Sequence, residues 1–188
     1  MTETLDRGEL GTLPALKGLG KLADLRPVLV IDSREQTPLP ITRLETVRAG
    51  LQSGDYSFQG GEHLFAVERK SIDDVVSCCT GENRLRFERE MHRLRGFRFK
   101  RLLIVGARWM IEGQRYKSQI KPAAVLHSLA AWEMRFDLPV VFAEHPTQAA
   151  ALVEGWAWWF AREIVETSNN LLRGTKPAAK PEASASHE

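Results

Sequence analysis

Leu64-Phe65-Ala66-Val67-Glu68-Arg69-Lys70, with Gly54-Asp55 before it and Asp74 after it, is the stretch from which the rest of the chain can be read. Apolar residues run straight into Glu-Arg-Lys, which describes a strand that leaves the core and enters a polar site. Side chains alternate faces along a strand, so Glu68 and Lys70 share one face and Arg69 takes the other. Gly60-Gly61 separates residues 55–59 from 64–70 and predicts a hairpin. Asp55 and Glu68 can then share a divalent cation, with the Lys70 ammonium on the same strand face. Phosphodiester hydrolysis needs that combination: a cation to bind a phosphoryl oxygen and acidify water, and a positive group near the developing charge. A lone Glu-x-Lys on an exposed strand could equally be a salt-bridge ladder, and this stretch alone leaves both readings open.

Upstream, Asp32-Ser33-Arg34-Glu35 follows directly on the apolar run at 28–31. The order Asp-x-Arg-Glu, then Gly-Asp, then Glu-Arg-Lys-x-x-x-Asp resembles the signature of the XPF-type structure-specific endonucleases. Asp32, Arg34, Glu35, Gly54, Asp55, Glu68, Arg69, Lys70 and Asp74 all fall on it. Asn83-Arg84-Leu85 is similar to the Gly-Arg segment that follows in that family, with Asn83 in place of the glycine. The resemblance covers residues 26 to 162. It implies an α/β, three-layer, restriction-endonuclease-like domain, a central mixed sheet flanked by helices. It also implies an enzyme that uses Mg²⁺ or Mn²⁺ to nick DNA near single-strand/double-strand junctions.

The same resemblance sets the expected roles. Asp32, Glu35, Asp55, Glu68, Arg69, Lys70 and Asp74 are the candidate catalytic residues. Asp55 and Glu68 are the primary metal ligands, since hard divalent cations prefer carboxylate oxygens. Asp32 is the third carboxylate, acting through water or a second ion, and Glu35 lies on the ion or one step behind it. The backbone carbonyl of Arg69 can reach the ion, as in similar nuclease folds. Lys70 orients or activates the water. Arg34 and Arg84 are candidates for holding a phosphate in bidentate fashion. Arg69, on the opposite strand face, is expected to pair with a carboxylate inside the fold, Asp74 being a candidate. Asp74 also suits the first turn of a helix, and both readings remain open.

At 188 residues the chain fits one domain with a sizeable core. Its net charge is only +2, so it is not a globally basic nucleic-acid binder. Positive charge is concentrated instead between residues 84 and 101, where Arg84, Arg86, Arg89, Arg93, Arg95, Arg98, Lys100 and Arg101 outnumber Glu88 and Glu90. Arg86, Arg89 and Arg93 share a helix face. They are expected to track phosphates, which positions DNA without reading its sequence; a merely solvated face is the alternative. Cys78-Cys79 make no disulfide framework and read as small buried side chains. No stretch reaches membrane-spanning length and no signal peptide is evident, so a soluble, cytoplasmic protein is expected.

Along the chain, residues 1–25 are expected to form a flexible arm, 26–172 the nuclease domain and 173–188 a disordered tail. Strands are expected at 26–32, 55–59, 64–70, 101–105 and 140–143, with 44–51 ambiguous. Helices are expected from Ser71, over 84–95, over 122–136 with Pro122 near its start, and over 147–172. Gly106 and Gly113-Gln114 read as turns. Strands alternating with helices argue an α/β layered domain. The last helix carries Leu152, Val153, Trp156, Trp159, Phe160 and Val165, with Trp158 off the main stripe. A second apolar surface there would suit a homodimer, as in XPF-type domains; one shared core for the tryptophans is the alternative.

Family members usually carry a tandem helix-hairpin-helix domain that grips duplex DNA, and this sequence shows no such signature. A stand-alone nuclease domain is therefore expected, with a helicase or DNA-grip partner as a possible source of targeting. The leading expectation is a metal-dependent endonuclease acting on branched, flapped or junction DNA. A non-catalytic DNA-binding or scaffold subunit is the main alternative. The retained acids and lysine speak against it, and the motif order speaks against a sequence-specific restriction enzyme.

Overall fold

The computed structural model describes residues 26–174. The expected arm at 1–25 lies outside the described residues, as does the expected tail at 173–188 from residue 175 onward; Arg173 and Gly174, placed in that tail, instead end the last helix. A six-stranded sheet has the order β2-β1-β3-β4-β5-β6. It comprises β1 (Leu29–Asp32), β2 (Thr46–Ala49), β3 (Tyr56–Phe58), β4 (Phe65–Ser71), β5 (Phe99–Val105) and β6 (Val140–Ala143). β2 runs parallel to β1, and β5 and β6 run parallel to β4. β3 is antiparallel to both β1 and β4, so it alone runs the other way. The end of β1, the start of β3 and the end of β4 therefore meet at one edge of the sheet.

The sheet is covered on both faces. One buried cluster joins Ala66, Leu102 and Ile104 to α1 (Ile72–Ser77), α2 (Gly81–Leu94), α3 (Arg108–Glu112) and α4 (Pro122–Phe136). The other joins Phe65, Val67 and Leu103 to Ala149, Ala150, Val153, Ala157 and Phe160 of α5 (Pro146–Gly174). This is the three-layer α/β arrangement expected from the sequence. Phe65, Leu102 and Leu103 are fully buried, each contributing about 2 kcal/mol of burial free energy. Strands buried on both faces read as continuous apolar runs, which is why 102–104 is Leu-Leu-Ile rather than alternating.

Local chemistry sets the boundaries. Ser71 caps α1: its Oγ accepts from the Asp74 backbone at 3.2 Å, and Asp74 accepts from the Ser71 N–H at 3.3 Å. This reciprocal capping box starts the helix directly at the end of β4. Pro122 sits at the first turn of α4, where a missing N–H costs nothing. The ambiguous segment at 44–51 contains β2, an edge strand. The hairpin connection occupies residues 59–64 rather than a two-residue Gly60-Gly61 turn. Gly61 accepts through its carbonyl from both Leu64 and Phe65, and this lengthens the loop. Between the expected turns lies α3, which sequence analysis did not predict.

Glu154 of α5 is 2 % exposed. It accepts from the backbone N–H groups of Thr42, Arg43 and Leu44 and from the Arg43 guanidinium, fastening the chain just before β2. The apolar stripe of α5 departs from expectation. Trp158, placed off the stripe, is fully buried, whereas Trp159 is 57 % exposed. The sheet-facing line is Val153, Ala157, Phe160 and Ile164, a spacing of four, three and four residues that keeps to one helix face. Trp159 falls beside it, with the Arg162 guanidinium 5.0 Å from its ring centre. Both cysteines are buried free thiols.

Candidate active site

The edge where β1 ends, β3 begins and β4 ends collects the acids that are scattered in sequence. The Asp32 N–H donates to the Asp55 carbonyl at 2.8 Å, and the Asp55 N–H donates to the Val67 carbonyl at 2.8 Å. Gly54 makes the second contact possible. Its φ is +79°, and a Cβ there would lie 3.1 Å from the Val67 carbonyl oxygen, so a side chain would be both strained and crowded. The Arg69 N–H closes the arrangement by donating to Asp55 Oδ2 at 2.7 Å.

Asp55, Glu68 and Lys70 come together here. Glu68 is 1 % exposed. One of its oxygens accepts from Lys70 Nζ, and the other, Oε2, is buried with no hydrogen-bond partner. Burial pushes the Glu68 carboxyl well above its usual range, and the neighbouring Asp55 charge pushes it further. Asp55 is also raised, first by burial, against the opposing pull of the Arg69 N–H and the Lys70 charge. Burial would lower Lys70, but the Glu68 charge and hydrogen bond outweigh it and hold the ammonium protonated. Lys70 Nζ also lies 5.4 Å from the centre of the Phe87 ring, which favours the cation. The Lys70 ammonium thus pairs with Glu68, and its charge also acts on Asp55. An unpartnered buried oxygen and an all-carboxylate donor set suit a hard divalent cation, so the residues present fit Mg²⁺ or Mn²⁺.

The other expected residues are placed differently. Asp32, 2 % exposed, uses both oxygens internally. Oδ1 accepts from the Arg34 N–H at 2.8 Å and from Nε at 2.7 Å; Oδ2 accepts from Arg34 Nη2 at 3.0 Å and from the Leu51 N–H at 2.7 Å. The Arg34 hydrogen bonds hold its pKa down at about 2. Arg34, expected on a phosphate, is the other half of this pair and also donates to the Leu51 carbonyl at 2.8 Å. Asp32 and Arg34 together hold the connection into β3. Among the described residues, no three His, Cys, Asp or Glu side chains converge at metal-ligand spacing, so Asp32 does not join Asp55 and Glu68 in the arrangement seen.

Arg69 faces away from Lys70 as the strand alternation predicts, but its partner is Glu35 rather than Asp74. Nη2 and Nε reach Glu35 at 2.8 and 3.1 Å. The reason is local: Asp74 is taken by the α1 cap. Glu35 also accepts from the Thr37 N–H at 2.7 Å, so it braces the 35–37 turn. Arg84 is turned inward, donating to the Cys79 carbonyl and to Ser128 Oγ and pairing with Glu88 at 3.0 Å. It ties α2 to α4. Arg86, Arg89 and Arg93 are exposed, and Arg93 Nε reaches Ser53 Oγ at 3.3 Å, beside Gly54-Asp55. Three more of the basic run are engaged with the fold: Arg98 pairs with Glu163, Lys100 pairs with Asp137, and Arg101 donates to the Lys100 carbonyl.

Sequence analysis missed Glu90. It is half-buried on α2, and its charge is among those acting on Asp55, Glu68 and Lys70. The signal was available: Phe87, Met91 and Leu94 mark the buried stripe, and position 90 lies on its flank.

Comparison with known proteins gives one family and one fold. The ERCC4 domain model matches residues 31–155. The structure of XPF from Aeropyrum pernix superposes with a TM-score of 0.59 at 18 % identity, covering 81 % of this chain and 76 % of that one. A second structure, XPF from Aeropyrum pernix in complex with DNA, gives a TM-score of 0.56 at 19 % identity, covering 73 % of this chain and 66 % of that one. At such identities the likeness is one of fold. No curated protein matches the sequence significantly.

Proposed function

The chain belongs to the ERCC4 domain family, and from that premise we propose that it is a divalent-metal-dependent DNA endonuclease acting on branched, flapped or junction DNA. The observation that carries the reading is the buried Glu68 beside the half-buried Asp55, with the unpartnered Glu68 Oε2 and the Lys70 ammonium alongside. Asp55 and Glu68 would hold the ion. When bound, such a cation polarises a phosphoryl oxygen and lowers the pKa of its water. Lys70, kept charged by Glu68 and the Phe87 ring, supplies positive charge where the transition state gains negative charge. Arg69 contributes its backbone N–H, which fixes Asp55. Asp32 and Glu35 act as structural partners of Arg34 and Arg69 that keep the edge in register. On α2, the exposed Arg86, Arg89 and Arg93 run past the site and would grip the DNA backbone.

The proposed homodimer surface is α5. Trp159 and the half-buried Trp156 line a cleft of about 340 Å³ with Phe99, Phe160 and Arg162, and with Glu163 and Glu166; aromatic residues and arginine are enriched at interfaces, and the two acids suit a polar rim. Mass measurement in solution checks it: Trp159→Glu should convert dimer to monomer. Among the described residues, no helix is long and apolar enough to cross a membrane.

The function is tested by nicking of end-labelled flap, fork and plain duplex DNA with Mg²⁺, Mn²⁺ or EDTA, with Asp55→Ala in parallel. Metal-dependent cutting of branched substrates, absent in the variant, is expected. Fork binding without any product would instead make the chain a DNA-binding subunit. Site-specific cutting of plain duplex would make it a restriction-type enzyme.

A further inference from the structure

The acids of α2 are treated unequally by the fold. Glu82 lies exposed in the first turn. Glu88 is occupied, pairing with Arg84 at 3.0 Å and accepting from Trp132 Nε1 at 3.2 Å. The Glu90 carboxylate has no hydrogen bond or ion pair among the described residues, and its charge acts on Arg34 and Lys70 from a distance. Yet arginines flank it on its own helix, at positions 86, 89 and 93. A half-buried carboxylate among guanidinium groups that pairs with none of them calls for an explanation.

Its position supplies one. The Phe87 ring is 5.4 Å from Lys70 Nζ, and Arg93 Nε is 3.3 Å from Ser53 Oγ. Those contacts set the middle and the last turn of α2 against the site, over Lys70 at Phe87 and at the approach to Gly54-Asp55 at Arg93. Glu90 lies midway, three residues from each, and so falls on the face between them. We propose that Glu90 is a third carboxylate of the cation site, contributed by α2 in the place that the sequence assigned to Asp32. Asp55, Glu68 and Glu90 do not converge at direct-ligand spacing, so Glu90 acts through a water of the ion, as suits Mg²⁺, which keeps much of its hydration. The Glu90 charge acts on both Asp55 and Glu68. A third negative group beside two desolvated ones is unfavourable by itself and favourable around a divalent cation. The inference rests on the reading of Asp55 and Glu68 as ligands.

Calorimetric titration of the purified protein with Mn²⁺ tests it, without DNA and without turnover. Glu68→Gln should abolish measurable binding. Glu90→Gln should weaken binding about tenfold, the usual scale for a partner one step behind the direct ligands. Glu82→Gln, which removes the same charge from the same helix away from the site, should bind as the wild type does. Thermal melts of each variant confirm folding. Wild-type affinity in Glu90→Gln, with binding lost in Glu68→Gln, would overturn the role of Glu90 and leave the site standing. Equal weakening by Glu82→Gln would also overturn it, as a general charge effect. No Mn²⁺ binding by the wild type, or full binding by Glu68→Gln, would overturn the site itself.

Discussion

At the scale of single residues, the proposed function separates groups that would do chemistry from groups that hold the edge together. Lys70 and Asp55 are proposed for the first. Lys70→Ala and Asp55→Ala should each lower cleavage at least 100-fold, the scale of losing a charge-stabilising group, while the melting profile and DNA affinity stay near wild type. Normal turnover in either would undo the assignment. Asp32 belongs to the second. Its four donors make it a stabilising acid, and its pKa falls from 3.8 to about 2 on folding. A group depressed in the folded state contributes stability above its unfolded pKa and loses it as pH falls through the folded one. Asp32→Asn should therefore cost about 1–2 kcal/mol at pH 7, allowing for solvent screening of the exposed Arg34. The difference from wild type should shrink between pH 4 and pH 2. Urea titrations at both ends of that range measure it; a difference that persists at pH 2 would mean shape, not charge, is responsible.

At the scale of elements, the strands and most helices were legible because their signals are local. The apolar run at 102–104, the proline before α4 and the serine before α1 each announce an element by a short-range cause. The partners of charged residues were not legible. Arg69 could be assigned a face but not a carboxylate, because choosing Glu35 over Asp74 depends on Asp74 being used by the Ser71 cap. Asp32 could be placed at a strand end, but not recognised as saturated by Arg34 and Leu51. The aromatic stripe of α5 was misread for a related reason: neighbouring tryptophans at 158 and 159 look alike in sequence, and only the crossing of the helix over the sheet decides which is covered. On α2 the outward arginines make a prediction proper to the helix. Changing Arg86, Arg89 and Arg93 together to Gln should weaken DNA binding and flatten its dependence on log salt by about one unit per arginine. Binding isotherms over a range of KCl concentrations would show it. An unaltered slope would make that face a solvated surface only.

At the scale of the whole molecule, the single reversed strand is what assembles the site. With β3 running against its neighbours, residues 32, 55 and 68 arrive at one edge. A cation seated there would join β3 to β4 and stabilise the entire fold. Saturating Mn²⁺ should raise the melting temperature by about 5–10 °C, the shift expected for a ligand at a hundred times its Kd in a domain of this size. EDTA should reverse it, and Glu68→Gln should show no shift. A wild type indifferent to metal would count against the cation site.

The loop at 59–64 joins the far ends of β3 and β4, and so lies at the opposite edge of the sheet from Asp55 and Lys70. Gly60 is exposed and has open space around the position of a side chain. That makes the loop a grafting point: a targeting module or fluorescent reporter inserted between Glu62 and His63, both exposed, would hang a full strand length from the acids and leave the opposite edge free.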